Sequence, residues 1–212
     1  MVILGLTGSI AMGKSTAAAT LRRLGVPVYD ADAAVHRLLA RRGVAVRPIA
    51  AAFPDVERDG AIDRQALGAR VFNDAMALKR LEKIVHPLVR CAQERFLRRQ
   101  AARRARLVVL DIPLLFESRG EWHCDAVIVV SAPGFLQKQR ALSRPGMTAK
   151  RLAGILAHQM PDREKRRRAD FVVTTGLGKR HSLRQLARIV KVMRQIRGRH
   201  WPPRPGSRRP HA

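Results

Sequence analysis

Residues 8–15 place two glycines, a lysine and a serine in the spacing G-x-x-x-x-G-K-S, whose chemistry is the binding of a polyphosphate. A phosphate chain carries several negative charges, so its binding loop must present many N–H donors without bulky side chains, which glycine allows. Lys14 supplies a cation for the outer phosphoryl oxygens, and the Ser15 hydroxyl is a suitable magnesium ligand. The sequence therefore predicts a phosphate-binding loop.

The segments on either side support this interpretation, because the motif is informative only when a strand enters it and a helix leaves it. Residues 2–6 are apolar, and residues 15–24 carry apolar side chains on one helical face. Gly25 and Pro27 follow, where a C-terminal cap and a helix breaker are expected. The first unpaired N–H groups of this helix and the positive end of its dipole would then point at the phosphates.

Aspartates that follow two other apolar runs are candidates for proton transfer and metal binding. Asp30 is well placed to cap a helix, and Asp32, further into it, is the candidate general base for an incoming hydroxyl. The alternative for Asp32 is a first-turn carboxylate favoured by the helix dipole. Asp111 ends the run 107–110, where a second carboxylate usually holds magnesium; the alternative is an Asx-type turn.

Several cationic side chains are candidates for contact with phosphates or with a nucleobase. Arg140 and Arg144 lie one turn apart on a predicted helix, and each is either a clamp on the ligand or a solvated arginine. His86 can cap, pack in a core or contact a substrate. The highly charged run 162–168 is interpreted as a solvated helical face rather than a binding site.

The elements that must position these residues follow from the apolar periodicity. Five short apolar runs, separated by segments long enough for helices, predict a doubly wound parallel sheet of the α/β class, the P-loop NTPase type. The runs lie at 2–6, 26–29, 107–110, 127–130 and 171–173. Ligands are expected at the carboxyl ends of these strands.

The remaining segments predict one domain over residues 1–197 with two helical insertions. Residues 31–105 show no strand signal and three helical stretches, and within the last one, at 75–102, Pro87 predicts a kink or a new helix start. A basic helical segment at 144–168 is interpreted as a lid. The core then comprises residues 1–30, 106–143 and 169–197, followed by a tail at 198–212, rich in Pro and Arg and predicted to be disordered.

The charge of the chain bears on its partners. With 42 Lys and Arg against 16 Asp and Glu, the formal net charge of the 212 residues is +26. This excess favours polyanionic partners such as nucleoside phosphates, RNA or an anionic membrane, unless it reflects only the compositional bias of a genome. Aromatic residues make up 4%, too few for a surface that stacks the bases of a single-stranded nucleic acid.

The cysteines and the hydropathy point to a reducing compartment. Cys91 and Cys124 belong to no C-x-x-C pair and lie near no histidine cluster, so reduced thiols are expected and a zinc site is not. The sequence shows neither a secretory signal pattern nor the roughly 20 consecutive apolar residues that cross a bilayer. We therefore expect a cytoplasmic protein with no membrane partner.

Several separated motifs, in the same order, resemble those of the dephospho-CoA kinase family over residues 1 to about 195. They are Leu-Thr-Gly-Ser-Ile at 6–10 and Gly-Lys-Ser-Thr at 13–16, Asp-Ala-Asp at 30–32, Asp-Arg at 63–64, His-Pro at 86–87, Asp-Ile-Pro-Leu-Leu-Phe-Glu at 111–117 and Gln-Arg at 139–140. Such a set is far more specific than the phosphate loop alone, which many unrelated nucleotide-binding proteins share.

The resemblance implies that ATP gives its γ-phosphoryl group to the 3′-hydroxyl of dephospho-CoA, with Mg²⁺, in the last step of coenzyme A biosynthesis. Asp32 would accept the hydroxyl proton, Arg64 and His86 would belong to a helical acceptor-binding insert at 31–105, and Arg140 would act on the ATP side beside the lid. No specific nucleic acid partner is implied. The residues then expected at the nucleotide and its magnesium are Gly8, Ala11, Met12, Gly13, Lys14, Ser15, Thr16, Asp111 and Arg140.

Two departures from the family pattern stand out. The family usually carries Gly-x-Gly-Ser-Gly-Lys in the loop, where this chain has Ala11 and Met12, and we expect an ordinary backbone conformation at Ala11. Thr175 stands where the family favours asparagine, which removes a side-chain amide from the nucleobase side. Rival interpretations are a kinase of nucleosides or nucleotides, and an RNA-binding protein that keeps the loop as a nucleotide sensor.

Overall fold

The computed structural model describes residues 1–71 and 74–202 of the chain. They form two compact units, one comprising Met1–Tyr29 and the described chain from Gln100 onward, the other Asp30–Arg99. Of the tail predicted to be disordered, residues 203–212 lie outside the described residues. Within the part that is described, the backbone N–H of Arg199 donates to Asp125 Oδ1.

The regular elements are numbered here in chain order. They are β1 (Val2–Thr7), α1 (Lys14–Arg23), β2 (Val28–Asp30), α2 (Ala31–Leu39), α3 (Val46–Ala52), β3 (Glu57–Arg58), β4 (Ala61–Ile62), α4 (Arg64–Val71), α5 (Ala75–Ala102), β5 (Leu107–Asp111), β6 (Ala126–Ser131), α6 (Gly134–Leu142), α7 (Ala149–Ala157), α8 (Asp162–Arg168), β7 (Phe171–Thr174) and α9 (Lys179–Met193). Short 3₁₀ turns occur at Pro54–Val56 and Gly120–His123.

The sheet of the first unit has the strand order β2-β5-β1-β6-β7. Its pairings β1–β5, β1–β6 and β6–β7 are parallel. Every residue of β1, β5 and β6 is buried, which explains why these strands read as continuous apolar runs rather than alternating ones. All five predicted strands are confirmed.

The strand order also predicts where a ligand binds. The chain passes from β1 to strands on one side, β5 and β2, and later to β6 and β7 on the other. In an open parallel sheet the connections then diverge at the carboxyl end of β1 and leave a crevice there. The phosphate-loop motif begins at this point, directly after Thr7.

Helix α1, which leaves the loop, ends as its sequence predicts. Gly25 has φ +72°, a conformation that glycine adopts without strain. Its N–H donates to Arg22 O at 3.0 Å, and the Val26 N–H donates to Leu21 O at 3.1 Å. This pair of hydrogen bonds is a Schellman motif, and the apolar side chains of Leu21 and Val26 join the same buried cluster.

The core of the first unit lies between this sheet and two helices. Buried side chains of α1 and α9 join those of the strands in one cluster, which includes Leu4, Leu21, Ile128 and Leu186. Each of these four side chains is fully buried, which contributes roughly 1.5–3 kcal/mol apiece relative to exposure. The apolar residues of α9 recur with helical spacing because one face of this helix is buried, and its basic residues lie on the opposite face.

The second unit is mainly helical, with a core formed by α2, α3, α4 and α5. The expectation of no strand in this segment is wrong, because β3 and β4 pair as a short antiparallel hairpin. Two-residue strands are too short for a periodic signal. The turn between them is Asp59-Gly60, with φ values of +51° and +75°, and this Asp-Gly pair was the available sequence signal.

Helix α5 runs without a break through Pro87, which excludes a new helix start, one of the two predicted alternatives. Proline at this position removes the hydrogen bond to the carbonyl of Lys83. Both residues are exposed, so water can satisfy that carbonyl. Meanwhile Ile84, Val85, Leu88 and Val89 pack against the core on both sides of the proline, and this burial holds the helix together.

In the described ranges 1–71 and 74–202, no helix is both long and apolar enough to cross a membrane.

The two thiols should differ sharply in reactivity. Burial, with the nearby carboxylates of Asp125, Glu121 and Asp170, raises the pKa of Cys124 to about 12, whereas Cys91 is exposed. Since the thiolate is the nucleophile, Cys124 should be inert at pH 8 in the folded protein. A disulfide-exchange reagent should titrate one thiol per chain rapidly in native protein and two in denaturant. Two rapid equivalents in the native protein would contradict this arrangement.

Candidate active site

Gly8 lets the phosphate loop pass directly against strand β6. A Cβ atom at this position would lie 2.5 Å from Val130 Cγ2 and 2.7 Å from the carbonyl oxygen of Val130. Because one of these atoms belongs to the backbone, no side-chain movement could make room for it. Glycine is therefore required here for close approach of the loop to the backbone of β6.

Ala11 corrects the expectation of an ordinary backbone in the loop. Its φ is +61°, in the left-handed region that costs a non-glycine residue roughly 1–2 kcal/mol. The methyl group is nevertheless buried with Ala141 and Leu152. Packing of this methyl group offsets part of the backbone strain, which explains how alanine occupies a position where the family usually has glycine.

Hydrogen bonds from groups outside the loop fix the two residues that flank Ala11. The Ile10 N–H donates to Gln159 Oε1 at 3.0 Å, and Gln137 Nε2 donates to Ile10 O at 2.9 Å. Met12 is buried, and its Sδ accepts from the Ala132 N–H at 3.1 Å. The loop is thus held by α6 and by the segment after α7 as well as by its own turn.

Lys14 and Asp111, predicted as the phosphate-binding cation and the magnesium carboxylate, are in direct contact. Lys14 Nζ lies 2.8 Å from Asp111 Oδ1, and the two side chains are only 17% and 4% exposed. Asp111 is the last residue of β5, paired in register with Leu6 of β1. The neighbouring strands therefore bring the carboxylate to the first residue of α1.

The first turn of α1 presents the remaining loop residues to solvent. Gly13 is the N-cap with φ +94°, and Ser15 and Thr16 are exposed. The Ser15 hydroxyl and the Asp111 carboxylate are oxygen donors, the type that Mg²⁺ prefers together with substrate phosphates and water. The donor set therefore fits magnesium bound with a nucleotide.

Arg140 lies on α6 and reaches the residue that follows β7. Its Nη1 and Nη2 donate to Thr175 Oγ1 at 3.3 Å and Thr175 O at 3.0 Å. Thr175 in turn donates its hydroxyl proton to Met12 O at 2.7 Å. Thr175 therefore links Arg140 to the phosphate loop. Arg144 lies beyond the end of α6 and is exposed.

The charged run 162–168 forms a helix that is mostly exposed, as predicted, but Lys165 departs from this pattern and joins a buried ion pair. Lys165 is fully buried, and its Nζ lies 2.9 Å from Glu117 Oε1. The Met160 N–H donates to the same Glu117 oxygen at 2.9 Å. At the start of this run, Asp162 Oδ2 accepts from Ser131 Oγ at 2.7 Å. Helix α8 is therefore fastened to the loop after β5 and to the end of β6.

Opposing effects act on the ionisation of Glu117. Burial alone raises the pKa of this carboxyl, but the contact with Lys165 and the hydrogen bonds from backbone N–H groups outweigh burial and hold the pKa below its ordinary value. A carboxyl whose pKa is lowered by folding stabilises the folded state above its unfolded pKa, and this stabilisation is lost as the pH falls through the folded value. The pair is therefore a stabilising contact at neutral pH.

Asp32, Arg64 and His86 all belong to the second unit and are exposed. Asp32 stands in the first turn of α2, whose N-cap is Asp30, with Oδ1 accepting from Ala33 N–H at 2.9 Å. The capping role predicted for Asp30 is therefore confirmed. His86 is exposed in the middle of α5, so it neither caps this helix nor packs in a core.

The position of Arg64 depends on its neighbour Asp63, which caps α4. Asp63 Oδ1 accepts from the N–H groups of Gln65 and Ala66 at 2.9 and 3.1 Å. These hydrogen bonds, led by that from Ala66, lower the pKa of Asp63, and the nearby Arg58 acts in the same direction. Arg64 is therefore the first residue of a helix with a well-defined start.

Comparison with solved structures shows a known fold. TT1252 from Thermus thermophilus is 38% identical, with 90% of this chain and 96% of that chain aligned and a TM-score of 0.78. The dephospho-CoA kinase from Campylobacter jejuni has the same fold, at 24% identity, 90% and 96% coverage and a TM-score of 0.61. Comparison with sequence relatives identifies the family.

The dephospho-CoA kinase family model matches residues 2–178. A dephospho-CoA kinase from Paramagnetospirillum magneticum is 66% identical over 197 residues, which are 93% of either chain. The chain belongs to the dephospho-CoA kinase family, as its motifs predict.

Loss of the Lys165 ammonium group should destabilise the fold. Lys165→Met leaves the Glu117 carboxylate without its cation, which should cost about 3 kcal/mol at pH 7, the low end for breaking a buried pair because Glu117 keeps 19% exposure. Without Lys165, only the backbone N–H groups oppose the effect of burial, so the Glu117 pKa rises and the stability difference from the wild type should shrink as the pH falls. Urea unfolding at several pH values measures both effects.

The double variant Lys165→Met/Glu117→Gln should recover most of this stability, because no charge is left buried. Arg166→Met, at an exposed position of the same helix, should change stability by less than about 0.5 kcal/mol. A Lys165→Met protein as stable as the wild type would show that the ion pair does not hold α8.

Proposed function

We propose that the phosphate loop, Asp111 and Arg140 bind ATP with Mg²⁺, and that Asp32, Arg64 and His86 bind and activate the acceptor. The reaction is that of the family: the γ-phosphoryl group of ATP passes to the 3′-hydroxyl of dephospho-CoA. This is the last step of coenzyme A biosynthesis. The nucleotide roles rest on the contacts made around the phosphate loop, and the acceptor roles on the family motifs that contain Asp32, Arg64 and His86 and on the exposure of these residues.

The contact between Lys14 and Asp111 carries the nucleotide side of this proposal. A buried carboxylate, an ammonium group and the N-terminus of α1 meet at the carboxyl end of β1. When ATP binds, Lys14 turns from Asp111 to the phosphoryl oxygens, and the carboxylate is released for magnesium. Bound magnesium would neutralise charge on the phosphates, and Ser15 and Asp111 would hold it, Asp111 through water.

The transfer itself is an in-line displacement. The bond from the bridging oxygen to the γ-phosphorus breaks as the 3′-oxygen bonds to that phosphorus, and ADP leaves. Asp32 accepts the proton of the attacking hydroxyl. Most of the rate enhancement then comes from positioning and from charge neutralisation by Lys14 and Arg140.

The role of Asp32 predicts a specific kinetic defect. Asp32→Asn keeps the shape but cannot take the proton, so kcat should fall by about 10²-fold or more, with little change in either KM. The assay follows the mass of dephospho-CoA, which gains one phosphate on incubation with ATP and Mg²⁺. Asp55→Asn, at another exposed aspartate of the second unit, should retain wild-type kcat. Unchanged turnover in Asp32→Asn would remove Asp32 as the base.

The role of Asp111 predicts a defect in metal use. Asp111→Asn should raise the Mg²⁺ concentration for half-maximal rate by about 10-fold or more, because a neutral amide orders bound water less well. Lys14→Met should instead weaken nucleotide binding with and without magnesium, as measured by calorimetry. If Asp111→Asn shows the wild-type magnesium requirement, another group must hold the metal.

A further inference from the structure

Thr175 stands at the point where the carboxyl end of the sheet meets the phosphate loop. It directly follows β7, and its N–H donates to Ser131 O at 2.8 Å, which extends the β6–β7 pairing by one residue. The position of its side chain is therefore fixed by the sheet. A Cβ atom at Gly13 would lie 3.2 Å from three atoms of the Thr175 side chain, so the threonine packs closely against the start of α1.

The Thr175 hydroxyl joins two parts of the nucleotide site. A hydroxyl has one proton to donate and two lone pairs to accept with. The proton goes to Met12 O, at 2.7 Å, rather than to Ser131 O, at 3.3 Å. A lone pair then accepts from Arg140 Nη1 at 3.3 Å, while the Thr175 carbonyl accepts from Nη2 of the same side chain at 3.0 Å.

The contact with Met12 O determines the direction of a phosphate-binding donor. Since a trans peptide is planar, its carbonyl and the next N–H point in opposite directions. Holding Met12 O against Thr175 therefore fixes the orientation of the Gly13 N–H, in the motif segment that precedes Lys14. Gly13, with φ +94°, would otherwise be among the freest residues of the loop.

We propose that Thr175 is a positioning residue for ATP, which sets the Met12–Gly13 peptide and the Arg140 guanidinium in one arrangement before the nucleotide binds. The proposal rests on the nucleotide role proposed above for Arg140 and extends it to the residue that holds this arginine. In this chain the Thr175 hydroxyl holds Arg140 and Met12 O, at a position where the family pattern has asparagine. Thr175 itself contacts no reacting atom.

The test compares one substitution that removes the hydroxyl with another that keeps it. Thr175→Val keeps the size and shape but removes both hydrogen bonds of the side chain, and the KM for ATP and the calorimetric Kd for ATP should rise about 10-fold. Thr175→Ser keeps the hydroxyl and should stay within about 2-fold of the wild type. The KM for dephospho-CoA should not change in either variant, and thermal unfolding checks that both fold.

Three outcomes would overturn the proposal. One is wild-type ATP affinity in Thr175→Val, and another is an equal loss in the serine and valine variants, which would point to packing rather than hydrogen bonding. The third is an equal rise in the KM values for ATP and dephospho-CoA, as a general loss of folded structure would produce. If Thr175→Val does not fold, Thr175→Ala, which also lacks the hydroxyl, takes its place in the same comparison.

The double variant Thr175→Val/Arg140→Ala separates this inference from the function on which it rests. If Thr175 acts partly through Arg140, the two losses in ATP affinity should combine to less than their product. A full product would show independent action and would overturn the coupling. If Arg140→Ala alone leaves ATP binding intact, the role of Arg140 in the proposed function fails. If Arg140→Ala weakens binding and Thr175→Val does not, only the positioning role fails.

Discussion

The proposed nucleotide site depends on the register of the parallel strands. Leu6 pairs with both Asp111 and Ile128, and Ser131 pairs with Thr174. These pairings bring the ends of β1, β5, β6 and β7 to one edge of the sheet. Within one or two residues of those ends lie the phosphate loop, Asp111, Ser131 and Thr175. Strand pairing therefore brings together parts of the chain that are distant in sequence.

Two buried ion pairs extend this arrangement, and each joins a basic residue to the segment that begins at the end of β5. Lys14 pairs with Asp111, and Lys165 pairs with Glu117, six residues later in the same motif. The chain has many basic side chains, but few carboxylates are available to compensate a cation buried in the core. The motif at 111–117 therefore serves both the proposed chemistry and the attachment of α8.

The loop itself combines strain with compensation. Ala11 adopts a left-handed conformation and buries its methyl group against α6 and α7, while Ile10 is bonded to Gln137 and Gln159. Such strain persists only where surrounding contacts determine the backbone. Because those contacts come from the segment interpreted as a lid and from the helix before it, the loop conformation depends on how that segment packs.

The sequence alone was sufficient for the five strands, the long helix α5, the cap at Gly25 and the family, because these depend on local periodicity, glycine chemistry and ordered motifs. Tertiary structure decided what those patterns cannot express. Lys165 is buried because it forms an ion pair with Glu117, which lies in a distant part of the sequence. Pro87 remains inside a helix because the residues on either side of it pack against the core. Ala11 adopts a left-handed conformation because its methyl group packs against Ala141 and Leu152. Each outcome depends on a partner far away in the chain, and local preference is too weak to oppose it.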